Sequence, residues 1–118
     1  MIVKIKMENS DIGFTSSELL NFIKTDNDIV IYDLRKKEEF AKGHIKKSSL
    51  VKYAEGSLID VPKHSKIILI SKDDEQSRQM AIALHSHDID AHYLIGGINN
   101  WPYRLYFTNI SYVGIEYP

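Results

Sequence analysis

Two uninterrupted apolar runs, IVIY at 29–32 and KIILI at 66–70, constrain the fold of this chain more than any other feature. Neither alternates between apolar and polar residues, and turn-forming residues bound both. A strand that is apolar throughout must be covered on both faces, as a parallel strand inside an α/β sheet is. A third short run, AHYLI at 91–95, supplies another strand.

Helical patterns fill the gaps between these runs. Thr15 and Glu18 have the spacing of a capping box, and Leu19, Leu20, Phe22 and Ile23 make an apolar stripe. They predict a helix over Ser16–Lys24. KKEEFAK predicts a short helix, with Gly43 as its left-handed stop, followed by a small strand at Ser49–Val51. Ala54–Ile59 is expected as another short helix, ended before Pro62. From Asp74 to about His87 the period is helical, with Met80, Ala83, Leu84 and His87 on one face. Gly96–Gly97 makes a tight turn, and a single helical turn through Asn99 and Trp101 is closed by Pro102. The alternation from Ser16 to Trp101 implies a mainly parallel central sheet with helices on both faces. Ligands of such sheets bind beyond the carboxyl ends of strands, and the segment opening at Ser71 sits at one such end.

The chain has 118 residues, enough for one domain over 1–118, and no repeat or linker divides it. Residues 1–7, MIVKIKM, are expected as an N-terminal strand. The formal net charge is −1, so no global field favours nucleic acid or an anionic membrane as partner. The basic cluster Lys36, Lys37, Lys42, Lys46 and Lys47 is expected to be a solvated face. No cysteine is present, which excludes disulfides, thiolate metal sites and thiol chemistry within this chain. No run approaches the ~20 apolar residues of a membrane span, and the first residues are too charged for a signal peptide. A cytoplasmic location is the resulting expectation.

Three motifs in order then resemble a known family. Asp33, Arg35, Glu39 and Phe40 fill D-x-R-x-x-x-E-F; Gly43, His44 and Ile45 give G-H-I; Leu94, Gly96, Gly97 and Trp101 fill L-x-G-G-x-x-x-W. Together they resemble the rhodanese-like domain, over about 14–101. The resemblance implies a three-layer α/β sandwich with a mainly parallel central sheet. It also implies a loop like C-x-x-G-x-R-S after the central strand, and there this chain departs. Ser71 stands for the cysteine, Asp74 for the glycine and Gln76 for the arginine; Ser77 agrees, and Arg78 falls two positions late.

Sulfur transfer needs a thiolate that attacks a sulfane sulfur and stores it as a persulfide. A serine hydroxyl is far less acidic and cannot form the S–S bond. Lys72 is followed by Asp73, Asp74 and Glu75, which crowd the site where the family holds an anion. One carboxylate about 5 Å from an anion costs on the order of 3 kcal/mol at an effective dielectric near 20. The attraction of a helix end is typically below ~1 kcal/mol. These acids also serve as helix caps: Asp73 or Asp74 can cap, and Glu75 suits the first turn. Asp33, Arg35 and Glu39 are expected as a structural charge network, His44 as a structural histidine bonded to backbone, and Trp101 as a core anchor. His85, His87 and His92 fail the usual ligand spacings, so neither metal nor cofactor is expected.

The tail after Trp101, 102–118, is rich in tyrosine and predicts a hairpin or edge strand that packs on the domain or forms a homodimer contact. The functional expectation is a rhodanese-related protein without catalysis, acting as a binding or regulatory module for a protein or small ligand. The alternative is a sulfurtransferase-like or hydrolytic enzyme using Ser71, or Asp74 with a cation.

Overall fold

The computed structural model describes residues 12–26, 28–53 and 56–107. Its strands are β1 (Gly13–Phe14), β2 (Ile29–Asp33), β3 (Ser48–Leu50), β4 (Lys66–Ile70) and β5 (Ala91–Leu94). Its helices are α1 (Ser16–Thr25), α2 (Lys37–Lys42) and α3 (Glu75–His85), and a 3₁₀ turn follows at Ile98–Asn100. The sheet order is β1-β5-β4-β2-β3, with every pairing parallel.

β4 lies at the centre, which explains its uninterrupted apolarity. Ile67 and Leu69 pack into one cluster with Met80, Ala81 and Leu84 of α3. Ile68 and Ile70 point the other way and meet Leu19 and Ile23 of α1, together with Trp101. Successive strand residues thus serve opposite layers. Ile67–Ile70 are fully buried; burying one such side chain stabilises by roughly 1.5–3 kcal/mol.

α1 begins with the expected capping box. The Thr15 hydroxyl accepts the Glu18 N–H at 3.2 Å, and the Glu18 carboxylate accepts the Thr15 N–H at 2.8 Å. The two reciprocal bonds satisfy donors that the first turn leaves open.

Several expectations need correction. Gly43 does end α2, but in an extended conformation, φ 175°, not a left-handed one. The chain must straighten there because His44 bridges antiparallel to Tyr106, with reciprocal N–H···O bonds of 2.8 Å. Residues 56–59 are not helical: Gly56 takes φ +84° in a turn, and Ile59 drops into the core. α3 stops at His85, so His87 is exposed and not on the buried face. The chain turns away through Asp88, whose φ is 64°. The expected strand at 1–7 and most of the expected tail hairpin lie outside the described residues. Among the described residues no helix is long and apolar enough to cross a membrane.

Candidate functional site

The segment 71–77 joins the end of β4 to α3, at the carboxyl edge of the sheet. Ser71 follows the buried Ile70 and is itself only 1% exposed. Its Oγ donates to Ser77 Oγ at 2.8 Å and accepts the Ser77 N–H at 3.0 Å. Ser77, fully buried, passes its own hydroxyl proton toward the Asp74 carbonyl at 3.3 Å. The two hydroxyls form a closed chain of donors and acceptors. No histidine or carboxylate side chain hydrogen-bonds to Ser71 among the described residues, so no general base stands ready to take its proton.

Backbone N–H groups that open a helix can cradle an anion. Here the loop's own side chains take two of them. Ser71 accepts from Ser77 N–H, and Asp73 Oδ1 accepts from Glu75 N–H at 3.1 Å. Asp74 occupies the N-cap without a side-chain cap bond, and Asp73, one residue earlier, holds the first helical N–H.

Asp74 does something else. It sits at φ 125°, a conformation costly for a residue with a Cβ. Its Oδ2 accepts the Gly96 N–H at 2.7 Å and so ties the loop to the turn after β5. That turn presses close: a Cβ on Gly97 would lie 2.6 Å from the Ser71 and Lys72 carbonyl oxygens. The same carbonyls accept N–H groups of Ile98 and Asn99, at 2.9 and 3.1 Å. Glycine at 97 is thus required by close backbone approach. Sequence reasoning missed the Asp74–Gly96 tie; its signal was an aspartate standing where the family motif has glycine.

The remaining loop side chains point outward. Gln76 bonds the Tyr53 hydroxyl, and Glu75 holds both Arg78, at 3.2 Å, and Gln79, at 2.7 Å. Arg78 is therefore committed to a surface pair. A hollow of about 230 Å³ beside Gln76 is lined by Tyr53, Ser57, Gln79 and Met80, with no charged side chain among the described residues that line it. Tyr93 is raised above the usual tyrosine range, by burial first and by the Asp74 charge second, against a smaller opposing effect of Arg78. Asp73 and Glu75 are exposed, so solvent screens the repulsion they exert on an anion. The electrostatic obstacle is smaller than the sequence suggested, and the buried hydroxyl is the larger one.

The first two motifs meet at the end of β2. Arg35 Nε donates to Asp33 Oδ1 at 2.9 Å, and its Nη2 donates to Asp33 Oδ2 at 2.8 Å and to the Gly43 carbonyl at 2.7 Å. Asp33 is completely buried. Glu39 is not part of this group; its carboxylate receives the Lys36 N–H at the start of α2. His44 Nδ1 lies 2.8 Å from the Phe40 carbonyl, and its ring stacks on Phe40 at 4.0 Å. Ile45 is fully buried, and Trp101, 8% exposed, packs in the α1-side core. His92 pairs with Asp90 and stacks on Phe14, while His85 and His87 are exposed. No group of three His, Asp or Glu residues that could hold a metal occurs among the described residues.

Comparison with known families matches the rhodanese-like domain to residues 15–102. The chain belongs to the rhodanese-like domain family. Solved structures share the fold. A rhodanese-related protein from Thermoplasma volcanium is 19% identical, with a TM-score of 0.69, covering 80% of this chain and 96% of that one. A rhodanese-like domain protein from Staphylococcus aureus is 23% identical, with a TM-score of 0.67, covering 82% and 98%. Thiosulfate sulfurtransferase from Pseudomonas aeruginosa is 13% identical, with a TM-score of 0.66, covering 81% of this chain but 19% of that longer one. No curated protein matches in sequence. This rhodanese-like domain shares the fold of those structures and buries a serine pair, Ser71 with Ser77, at the loop after β4.

Proposed function

We propose that this rhodanese-like domain is catalytically silent and works in the cytoplasm by binding, as a regulatory module for a protein or small ligand met at the strand-end loops. One observation carries the reading: the side chain at the nucleophile position is a buried hydroxyl locked to Ser77, in a chain without cysteine. Oxygen cannot store a sulfane sulfur as a disulfide-type bond, and this oxygen also lacks a base. The same burial disfavours a hydrolytic role for Ser71. A homodimer contact through the tail belongs to the same proposal, supported by exposed Leu105 and Phe107. A sedimentation profile that stays monomeric at all concentrations would reject that contact.

The direct test is thiosulfate-to-cyanide sulfur transfer by purified protein. Thiocyanate formation should not exceed the buffer rate, and mass spectrometry should find no sulfur adduct. Ser71→Cys should recover little turnover, because the new thiol would inherit a buried position beside a loop whose Glu75 N–H is already held by Asp73. Donor-dependent thiocyanate formation by the unaltered chain would overturn the reading.

A further inference from the structure

A separate groove of about 470 Å³ lies between α1 and the segment after Trp101, and none of its lining residues belongs to the 71–77 loop. That volume falls within the roughly 300–1,000 Å³ typical of small-molecule sites. Its apolar side comes from Leu20 and Ile23 of α1 and from Trp101, with Tyr103 and Tyr106 beside them. Its charged side comes from three separate parts of the chain: Lys24 near the end of α1, Lys46 and Lys47 just before β3, and Arg104. Among the described residues, no carboxylate lines it.

The cations are not equally committed. Lys47 Nζ donates to the Ile23 carbonyl at 3.0 Å and so offsets the negative end of α1. Arg104 lies over the Tyr106 ring, 5.3 Å from its centre, which leaves the guanidinium edge available. Lys24, Lys46 and Arg104 form no ion pair with an acid among the described residues. Like charges gathered around one apolar hollow repel one another, and an anion between them relieves that repulsion. Of the sequence cluster Lys36, Lys37, Lys42, Lys46 and Lys47, expected as a solvated face, Lys46 and Lys47 line the groove; folding brings Lys24 and Arg104 to the same opening.

We infer that this groove binds a small organic anion: a flat ring bearing a phosphate or carboxylate, with the ring on the Ile23–Trp101 side and the acidic group among Lys24, Lys46 and Arg104. The inference goes beyond the loss of sulfur chemistry and does not depend on it.

Trp101 is the single tryptophan of the chain, so its emission reports on the groove. The full-length protein is titrated with phenyl phosphate and with benzoate, each at low and high NaCl. Inorganic phosphate, acetate and phenol serve as half-ligands. At least one ring-bearing anion should give a saturable emission change with a midpoint below about 1 mM, and the half-ligands should bind at least about tenfold more weakly. Whichever of the two binds more tightly identifies the acidic group. High salt should weaken binding. The double variant Lys46→Gln, Arg104→Gln should weaken it at least about tenfold, and Lys24→Glu should do the same. All three positions are exposed, so the fold should be unaffected, as circular dichroism will verify. Absence of a saturable response to both ring-bearing anions overturns the inference. So does equal binding of phenol or of inorganic phosphate, or an affinity unchanged in the charge variants. Thiocyanate formation by the Ser71 loop would leave these results as they are, so the two proposals fail separately.

Discussion

The ends of β2 and β4 lie side by side, with Asp33 in register with Ile70, yet the two junctions bury opposite kinds of polar group. Beyond β2 it is a charged pair, Asp33 with Arg35, whose guanidinium also holds the Gly43 carbonyl. Beyond β4 it is a neutral pair, Ser71 with Ser77. The first clamps Arg35, just past β2, to Gly43, the residue that ends α2, eight positions on. The second fixes little beyond its own turn. A fold anchored at the charged junction can keep its shape while the neighbouring junction changes chemistry, and a thiol-free loop in an otherwise recognisable family member is that outcome.

The largest test of this contrast is Arg35→Ala. It leaves the buried Asp33 charge with only the backbone N–H of residue 35, at 3.0 Å, and removing one member of a buried ion pair typically costs about 3–5 kcal/mol. Urea unfolding should show a large drop in midpoint. Replacing both residues, Asp33→Leu with Arg35→Met, should cost less than Arg35→Ala alone, because no orphan charge remains. If Arg35→Ala shifts the midpoint no more than a surface substitution does, the clamp is not what anchors the sheet edge.

Asp74→Ala should come next, at about 2 kcal/mol. That is the worth of a charge-assisted bond, here the one to Gly96 N–H, at roughly 1.5–3 kcal/mol; alanine keeps the positive-φ strain that the aspartate already bears. Asp74→Gly loses the same bond without the strain and should be the milder of the two. Equal costs would mean that backbone conformation contributes nothing there. Ser77→Ala should cost less still, about 1 kcal/mol, since Ser71 Oγ keeps the N–H of residue 77.

The contrast also shows what a sequence can reveal. The β4 core was legible because burial on both faces writes itself as continuous apolarity, Ile67 to Ile70. The α1 boundary was legible because a capping box is a local device. The departure at Ser71 was legible against a family motif. By contrast, Asp74 reaching Gly96 spans 22 positions, and no local pattern encodes it. Gly43 was misread because its backbone is set by a distant partner, Tyr106, and not by the helix it ends. Glu39 occupies a motif position but answers to its own helix start. The convergence of Lys24, Lys46 and Arg104 is tertiary and left no trace in spacing.

The smallest expected effect lies at the opposite edge of the sheet, where β4 and β5 begin, and isolates what burial adds to a charge pair. Asp90, just before β5, receives Lys66 Nζ at 3.1 Å and faces His92 Nε2 at 2.6 Å. Burial raises its pKa, but the hydrogen bonds and charges of His92 and Lys66 outweigh that and hold it below the usual aspartate value. A carboxyl depressed in the folded state favours folding at pH above its unfolded pKa, and that contribution disappears as pH falls through the folded one. Stability should therefore decline below about pH 4 in part through this residue. The Asp90 side chain is 53% exposed and Lys66 27%, so solvent screening limits the contribution to about 0.5 kcal/mol. Lys66→Met should lower the neutral limb of a thermal-midpoint-versus-pH curve slightly, by no more than about 0.5 kcal/mol, and leave its acid end, where Asp90 is protonated, unchanged. A loss at neutral pH as large as that of Arg35→Ala would show that position in the sheet, and not burial, decides what a charge pair contributes in this molecule.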